Sequence, residues 1–505
     1  MGMIKLRKAL RLRLFLLFVL PSYALLGDEP GLTVKADWNK VERISTTTLT
    51  LQVVVNPLLR RGSPIHGRAW DALRQLGADY VRFVPWYPYP KLGVAELEPP
   101  AAEHSSWDFS LIDPLVSDFF GAASGHPVML NFSTIPQWMF RTDSAVGFPA
   151  DPSEVTWSYE QGHELRDPTA KEVAEYYARV ASWYARGGFA DEQGKFHSSP
   201  FHYKIDFWEI LNEPEYEHAM SPQTYTRTYD AVVESVRKVL PDTQFVGMSL
   251  AEPSNNPAFF EYFLDSRNHK PGIPIDVISY HFYAVPTADQ TPSIQQYTFF
   301  DHADKFLTSV RFIEATRRRL APKTKTAVNE VGCILPADIG QELPDTDPAA
   351  VPDSYWNLCG ATFAYLYVAL AREGIEILAS SQLLGYPTQY PSVTMLDWRT
   401  GQPNARYWVL KLLRDNFGPG DQLVDTTVSS PHVVAQAFIA ADGAHKILLV
   451  NKRDRPVELQ ISGAVGGREV HVDLKSRANP PSSSPLTSDT LVVGGFSVSV
   501  LTLQH

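Results

Sequence analysis

The chain has 505 residues, 44% of them hydrophobic and 20% charged, which are ordinary values for a globular protein and not for a disordered or fibrous one. That length accommodates a large core in one or two domains. A formal net charge of −11, with the 45 Lys and Arg scattered rather than striped, argues against nucleic acid as a partner.

Residues 1–27 read as an export signal. Lys5, Arg7, Lys8, Arg11 and Arg13 form a basic start, Leu14 to Leu20 is an unbroken apolar run, and Pro21, Ser22 and Ala24 supply a cleavage region. The run is shorter than the roughly 20 residues a bilayer span needs. The mature protein is therefore expected to be secreted or periplasmic, without stable membrane insertion; an uncleaved anchor is the alternative. Residues 28–50 come next and are expected to lend strands to a terminal sandwich.

From residue 51 to 418, short apolar runs alternate with helical patterns. Strands are predicted at Leu51–Asn56, Asp79–Val84, Pro127–Phe132, Ile205–Leu211, Gln244–Ser249, Ile275–His281, Thr324–Glu330 and Ile375–Leu383. Several are continuously apolar, as parallel strands covered on both faces must be. Helices are predicted at Gly67–Leu76, Leu111–Ala123, Thr169–Arg186, Pro222–Val239, Pro257–Ser266, Ala303–Leu320, Tyr355–Arg372 and Ala405–Asn416. Eight strand–helix units is the count of a closed (β/α)8 TIM barrel in the α/β class. An open doubly wound sheet lacks support, because no glycine-rich phosphate turn follows any strand. Residues 419–505 change to strands without helices: His432–Ala440, Lys446–Asn451, Val457–Ser462, Glu469–Leu474 and Leu491–Leu503 predict a smaller antiparallel β-sandwich.

Cys333 and Cys359 are the only cysteines, which excludes a disulfide scaffold and a thiolate metal site. Either a bridge or two separate buried thiols fits the pair. The sequon at Asn131-Phe132-Ser133 falls on a predicted buried strand, so glycan attachment is not expected there. No HExxH, no metal-ligand spacing and no GxSxG elbow occurs, so neither a metal nor another cofactor is expected.

Polar groups at the C-terminal ends of barrel strands line the active site in this architecture. Strand four ends Trp208-Glu209-Ile210-Leu211-Asn212-Glu213-Pro214, and strand seven ends Asn329-Glu330-Val331-Gly332. An isolated carboxylate buried where an apolar strand meets its loop is expensive. Two opposed carboxyl groups suit hydrolysis of an acetal: one protonates the leaving oxygen while the other attacks or stabilises the oxocarbenium-like centre.

The run WEILNEP at Trp208–Pro214 resembles the strand-four Asn-Glu-Pro motif of the clan A glycoside hydrolases. That resemblance implies Glu213 as acid/base, Asn212 on the sugar hydroxyl beside the reacting carbon, and Glu330 as nucleophile. It also implies His281 at the sugar and Tyr283 near the nucleophile, both in YHFY on strand six, and Arg82, in YVRF, beneath the nucleophile carboxylate. WDFSLID at Trp107–Asp113 and Pro-Gln-Trp-Met at Pro136–Met139 look most like family 39, which holds β-xylosidases and α-L-iduronidases. The expectation is a retaining, exo-acting glycosidase of β-xylosidase type that takes oligosaccharide, polysaccharide or glycoside substrates. An endo-acting polysaccharide hydrolase and a non-catalytic carbohydrate-binding barrel are the alternatives.

One departure stands out: the strand-eight stretch Ser380–Tyr386 carries no Trp where many clan members have a sugar platform. Trp86, Trp138 and Tyr386 are the aromatic candidates for stacking on sugar. Arg82 can serve Glu330 or neutralise Glu209, and Glu209 itself is read as structural support. His281 and Tyr283 can alternatively be satisfied core residues.

Overall fold

The computed structural model describes residues 31–159, 162–338 and 351–504, so the leader expected at 1–27 lies outside the described residues. Eight parallel strands close into one barrel: Thr48–Val54, Val81–Val84, Val128–Leu130, Phe207–Glu209, Gln244–Leu250, Val277–Ala284, Lys325–Cys333 and Ile377–Ser380. Each is an expected strand, trimmed or shifted by a few residues. Every residue of VRFV, VML, FWE and ILAS is buried, which is why these runs read as apolar without alternation.

The helices follow their strands. In Lys171–Arg186, Val173, Tyr176, Tyr177, Val180 and Tyr184 form the buried face, and Gly187 ends the helix in the left-handed region. Ser221 caps Pro222–Val239 through its side chain, with Pro222 opening the helix. Pro292–Leu320 departs from expectation: it begins well before the predicted Ala303. Its first turns, Pro292-Ser-Ile-Gln-Gln-Tyr, carry little apolar periodicity, but Pro292 is a helix-start signal. Among the described residues no helix is long and apolar enough to cross a membrane.

Inside the barrel the side chains are layered. Met129, Phe207, Val246, Val277, Ala327 and Ile377 form a separate apolar plug. Two residues further along their strands, on the same face, stand Glu209, Ser279 and Asn329, all buried. The barrel therefore changes from apolar filling to polar network in one layer. On strand seven a register shift between Val328 and Glu330 lets consecutive Asn329 and Glu330 both face inward.

The second module is a curled nine-stranded sheet. Leu32–Ile44 joins it, pairing antiparallel with Gln422–Val428 and parallel with Val457–Ile461. The sheet is thus not purely antiparallel, and Thr48–Thr50 belongs to the first barrel strand instead. The predicted Leu491–Leu503 is two strands, Thr490–Val493 and Val498–Thr502, separated at Gly494-Gly495. Gln422–Val428 and the serine-rich Ser482–Pro485 escaped prediction; the second is an edge strand with an exposed polar face. In His445–Asn451, Ile447 and Leu449 fill the sheet's own core, while Leu448 and Val450 join the barrel's core. This double burial makes the module part of the barrel's packing. Cys333 and Cys359 are free, buried thiols.

Candidate active site

Arg82 is the hub. Fully buried on strand two, its guanidinium donates Nε–H to Glu209 Oε2 (2.5 Å) and Nη1–H to Gln52 Oε1 and Glu330 Oε1 (2.6 Å each). Its Nη2 donates to Asn212 Oδ1 (2.7 Å) and Ser249 Oγ (2.9 Å). The two roles open for Arg82 in the sequence are both filled. Glu209 is the counter-charge beneath the site, accepting also from Asn131 Nδ2 (2.6 Å), Ser279 Oγ (2.6 Å) and Asn329 Nδ2 (2.7 Å). Such saturation makes it structural: its bonds are spent on the protein.

Glu330 takes the opposite side of the same cation. Arg82 holds Oε1, and Tyr283 Oη donates to Oε2 at 2.5 Å while contacting Ser381 Oγ at 2.6 Å. Burial acts against ionising Glu330, but the charges of His281 and Arg82 and the Tyr283 hydrogen bond outweigh it, so its carboxyl lies below the usual range. Gly332 makes room here: a Cβ on it would lie 2.8 Å from the Tyr283 ring.

Glu213 sits just past strand four in a left-handed conformation, φ 41°. Leu211, Met248 and Ser249 share positive φ, a concentration of backbone strain at the ends of strands four and five. It is held by Glu213 N–H on the Ser249 carbonyl (3.0 Å), Asn131 Nδ2 on the Leu211 carbonyl (3.0 Å) and Tyr225 Oη on the Ile210 carbonyl (3.0 Å). His281 bridges the two carboxyl groups. Its Nδ1 lies 2.7 Å from Glu213 Oε1, its Nε2 2.8 Å from Ser249 Oγ and 3.6 Å from Glu330 Oε1. Burial alone would lower the imidazole pKa; the flanking charges of Glu330 and Glu213 raise it overall. One oxygen each of Glu213 and Glu330 and a ring nitrogen of His281 lie within 4.8 Å of one another. A divalent cation could use that spacing, but Arg82 and the raised imidazole put positive charge against the same spot.

Six residues singled out from sequence, Arg82, Asn212, Glu213, His281, Tyr283 and Glu330, are therefore joined in one network. Trp138 and Tyr386 are not in it. Trp138 donates its indole N–H to the Glu96 carbonyl (2.9 Å), and the Arg166 guanidinium covers its ring at 4.4 Å. Tyr386 forms a short bridge with Gln389, and that turn presents Tyr390. Tyr390, absent from the sequence prediction, stacks on Trp86 with ring centres 6.3 Å apart, and Trp157 meets Trp86 edge-on. Burial first, then the charge of Glu213, pushes the Tyr390 phenol up. Gln52, Ser249, Ser381 and Glu217 also escaped sequence reasoning, being single polar residues in no motif. Glu215, two residues beyond Glu213, is a further buried carboxyl, pushed up to about 7 by burial.

No protein-family model and no curated protein matches the chain. Solved structures do. A family 51 arabinofuranosidase from Xanthomonas axonopodis pv. citri superposes with a TM-score of 0.62 at 12% identity, covering 94% of this chain and 100% of that one. A glucosidase from Croceicoccus marinus gives 0.59 at 14% identity, covering 94% and 99%. A family 30 endoxylanase from Clostridium papyrosolvens gives 0.53 at 14%, covering 94% and 100%. At these identities the likeness is one of fold, a barrel with an appended sheet. It spreads over families 51 and 30 and does not single out family 39.

Proposed function

We propose that the protein is a retaining glycoside hydrolase working by double displacement, with Glu330 as nucleophile and Glu213 as acid/base. The observation that carries this reading is the pair itself: one oxygen of each carboxyl group lies within 4.8 Å of the other, on the side of the roughly 5–5.5 Å spacing of covalent, retaining chemistry. A separation of roughly 6.5 Å or more would leave room for the water of an inverting enzyme. Glu330, ionised between Arg82 and Tyr283, attacks the anomeric carbon. Glu213, whose Oε1 is taken by His281, delivers a proton from Oε2 to the departing oxygen. The C–O bond to the leaving group breaks as the glycosyl–Glu330 bond forms. Glu213 then accepts a proton from water, which displaces Glu330 and restores the anomeric configuration. Asn212 hydrogen-bonds the sugar 2-hydroxyl throughout.

The specificity we favour is exo-acting on β-xylosides, on the strength of the motif resemblance. Export behind the leader at 1–27 belongs to the same reading; the N-terminus of protein recovered outside the cytoplasm would test it.

The test is hydrolysis of aryl α- and β-glycosides of xylose, glucose, galactose, arabinose and iduronic acid, with product configuration followed by NMR. Turnover with retention is expected on one of them. Inversion contradicts the covalent route, and a folded protein inert to every member points to an endo-enzyme or a binding protein.

The ionisation of Glu330 gives a pH prediction. Tyr283 donates to the charged form, so Tyr283→Phe should raise the nucleophile pKa. A hydrogen bond to a charged group is worth about 1.5–3 kcal/mol, or about one to two pKa units. Because kcat/KM is lost as pH falls through that pKa, the acid limb of the profile is expected to move to higher pH. An unmoved limb, with activity otherwise reduced, would remove Tyr283 from the electrostatic account.

A further inference from the structure

Glu217 ends the short helix Pro214–Glu217 that follows Glu213, and it is buried. Its Oε1 accepts two hydrogen bonds: from Asn212 Nδ2 (2.8 Å), on strand four's end, and from Trp86 Nε1 (2.8 Å), just past strand two. From this shared oxygen we infer that Glu217 is a positioning residue, which sets the amide of Asn212 for the sugar 2-hydroxyl and ties it to the aromatic wall of Trp86 and Tyr390. The inference rests on the glycosidase reading and deepens it.

The chemistry of the partners fixes the amide. Guanidinium nitrogens only donate, so Arg82 Nη2 must meet the Asn212 oxygen, which turns the amide nitrogen to the Glu217 oxygen. Held from both ends, Asn212 cannot flip. One of its two N–H groups goes to Glu217, and the second has no protein partner among the described residues. That second N–H is the donor left for substrate. It lies one residue from Glu213, where charge on the sugar changes most during reaction. Without Glu217 the amide keeps Arg82 and Ser249 on its oxygen but loses the anchor that aims its nitrogen. Trp86 loses its indole N–H bond at the same time.

A packing role and a positioning role separate on one pair of probes: 2,4-dinitrophenyl β-D-xylopyranoside, or the sugar that the aryl panel selects, and its 2-deoxy counterpart. Wild-type protein should prefer the 2-hydroxy substrate. Glu217→Ala should lower kcat/KM on it by about 10-fold or more while changing the 2-deoxy substrate far less, so that the preference collapses. Glu217→Gln, whose carbonyl oxygen can accept the same two bonds, should restore most of the preference. Should Glu217→Ala fold poorly, Glu217→Asp keeps the charge and withdraws the oxygen by one methylene, and the same collapse is expected. Equal losses on both substrates, or an unchanged preference in Glu217→Asp, overturn the inference while leaving the glycosidase reading intact. Wild-type protein inert to both glycosides overturns the exo-glycosidase reading on which the inference rests, and the inference with it.

Discussion

Glu330→Ala is expected to lower kcat on the order of 10⁵-fold or more on every glycoside, good and poor leaving groups alike. Loss of a covalent nucleophile removes the first chemical step, and removals of this kind reach about 10⁶ in other covalent enzymes. Glu213→Ala is expected to behave differently. A general acid contributes about 10² to 10⁴, and only where the leaving oxygen needs a proton. On an alkyl glycoside the full loss should appear. On a dinitrophenyl glycoside, whose leaving group departs unaided, the first step should survive and the second, which needs Glu213 as base, should stall. A burst of dinitrophenol followed by slow turnover is the expected trace. The geometry supports this division, because Glu330 is locked by Arg82 and Tyr283 on both oxygens, whereas Glu213 is held on one. Steady turnover without a burst in Glu213→Ala, or near-normal rates in Glu330→Ala, would reverse or cancel the assignments. Both variants should fold, since each leaves Arg82 paired with Glu209.

How much of this was legible in the sequence depends on what each residue had for neighbours. Asn212-Glu213 and Asn329-Glu330 announce themselves because polar residues interrupt apolar strands, and a buried strand end tolerates them only with partners. The eight strands were legible for the same reason, as unbroken apolar runs between helical patterns. Gln52, Ser249 and Ser381 were not. Each is a single polar residue in or just past an ordinary strand, and its partner lies where only closure of the barrel brings it near: Gln52 Nε2 meets Ser381 Oγ at 2.5 Å, joining the first strand to the end of the last. The surroundings of the candidate aromatics were hidden in the same way. Tyr386 looked closest to strand eight, and it bridges to Gln389, next to Tyr390, which stacks on Trp86. Trp138 carries the motif that suggested a family, yet its ring is already covered by Arg166, a contact 28 residues away in sequence that no local pattern encodes.

Arg82→Met should have the largest effect on the fold. A buried ion pair adds little over an apolar replacement of both partners, but removing one partner strands the other, at about 3–5 kcal/mol. Arg82 serves two buried carboxylates, Glu209 and Glu330, so its loss strands both. The sign with pH follows. In the wild type Glu330 is held below its ordinary pKa, so its contribution to stability is present above the unfolded value and is lost as pH falls through the folded one. In Arg82→Met the guanidinium no longer opposes the burial of Glu330, whose carboxyl moves upward, so the folded variant binds more protons than folded wild type. Stability of the variant relative to wild type should therefore fall as pH rises above about 4.5, with the gap widest near neutrality. Urea denaturation at several pH values measures it. The double variant Arg82→Met/Glu209→Gln removes one of the two stranded charges. It should recover part of the stability at pH 7 and little of the activity, because Glu330 still lacks one of the two cations that hold it ionised. A variant Arg82→Met as stable as wild type at pH 7 would mean that water, not Arg82, carries the charge of Glu209. The layered interior argues otherwise: Glu209 stands directly above the apolar plug of Phe207 and Val277, shut off from solvent, and among the described residues Arg82 is its one charged partner.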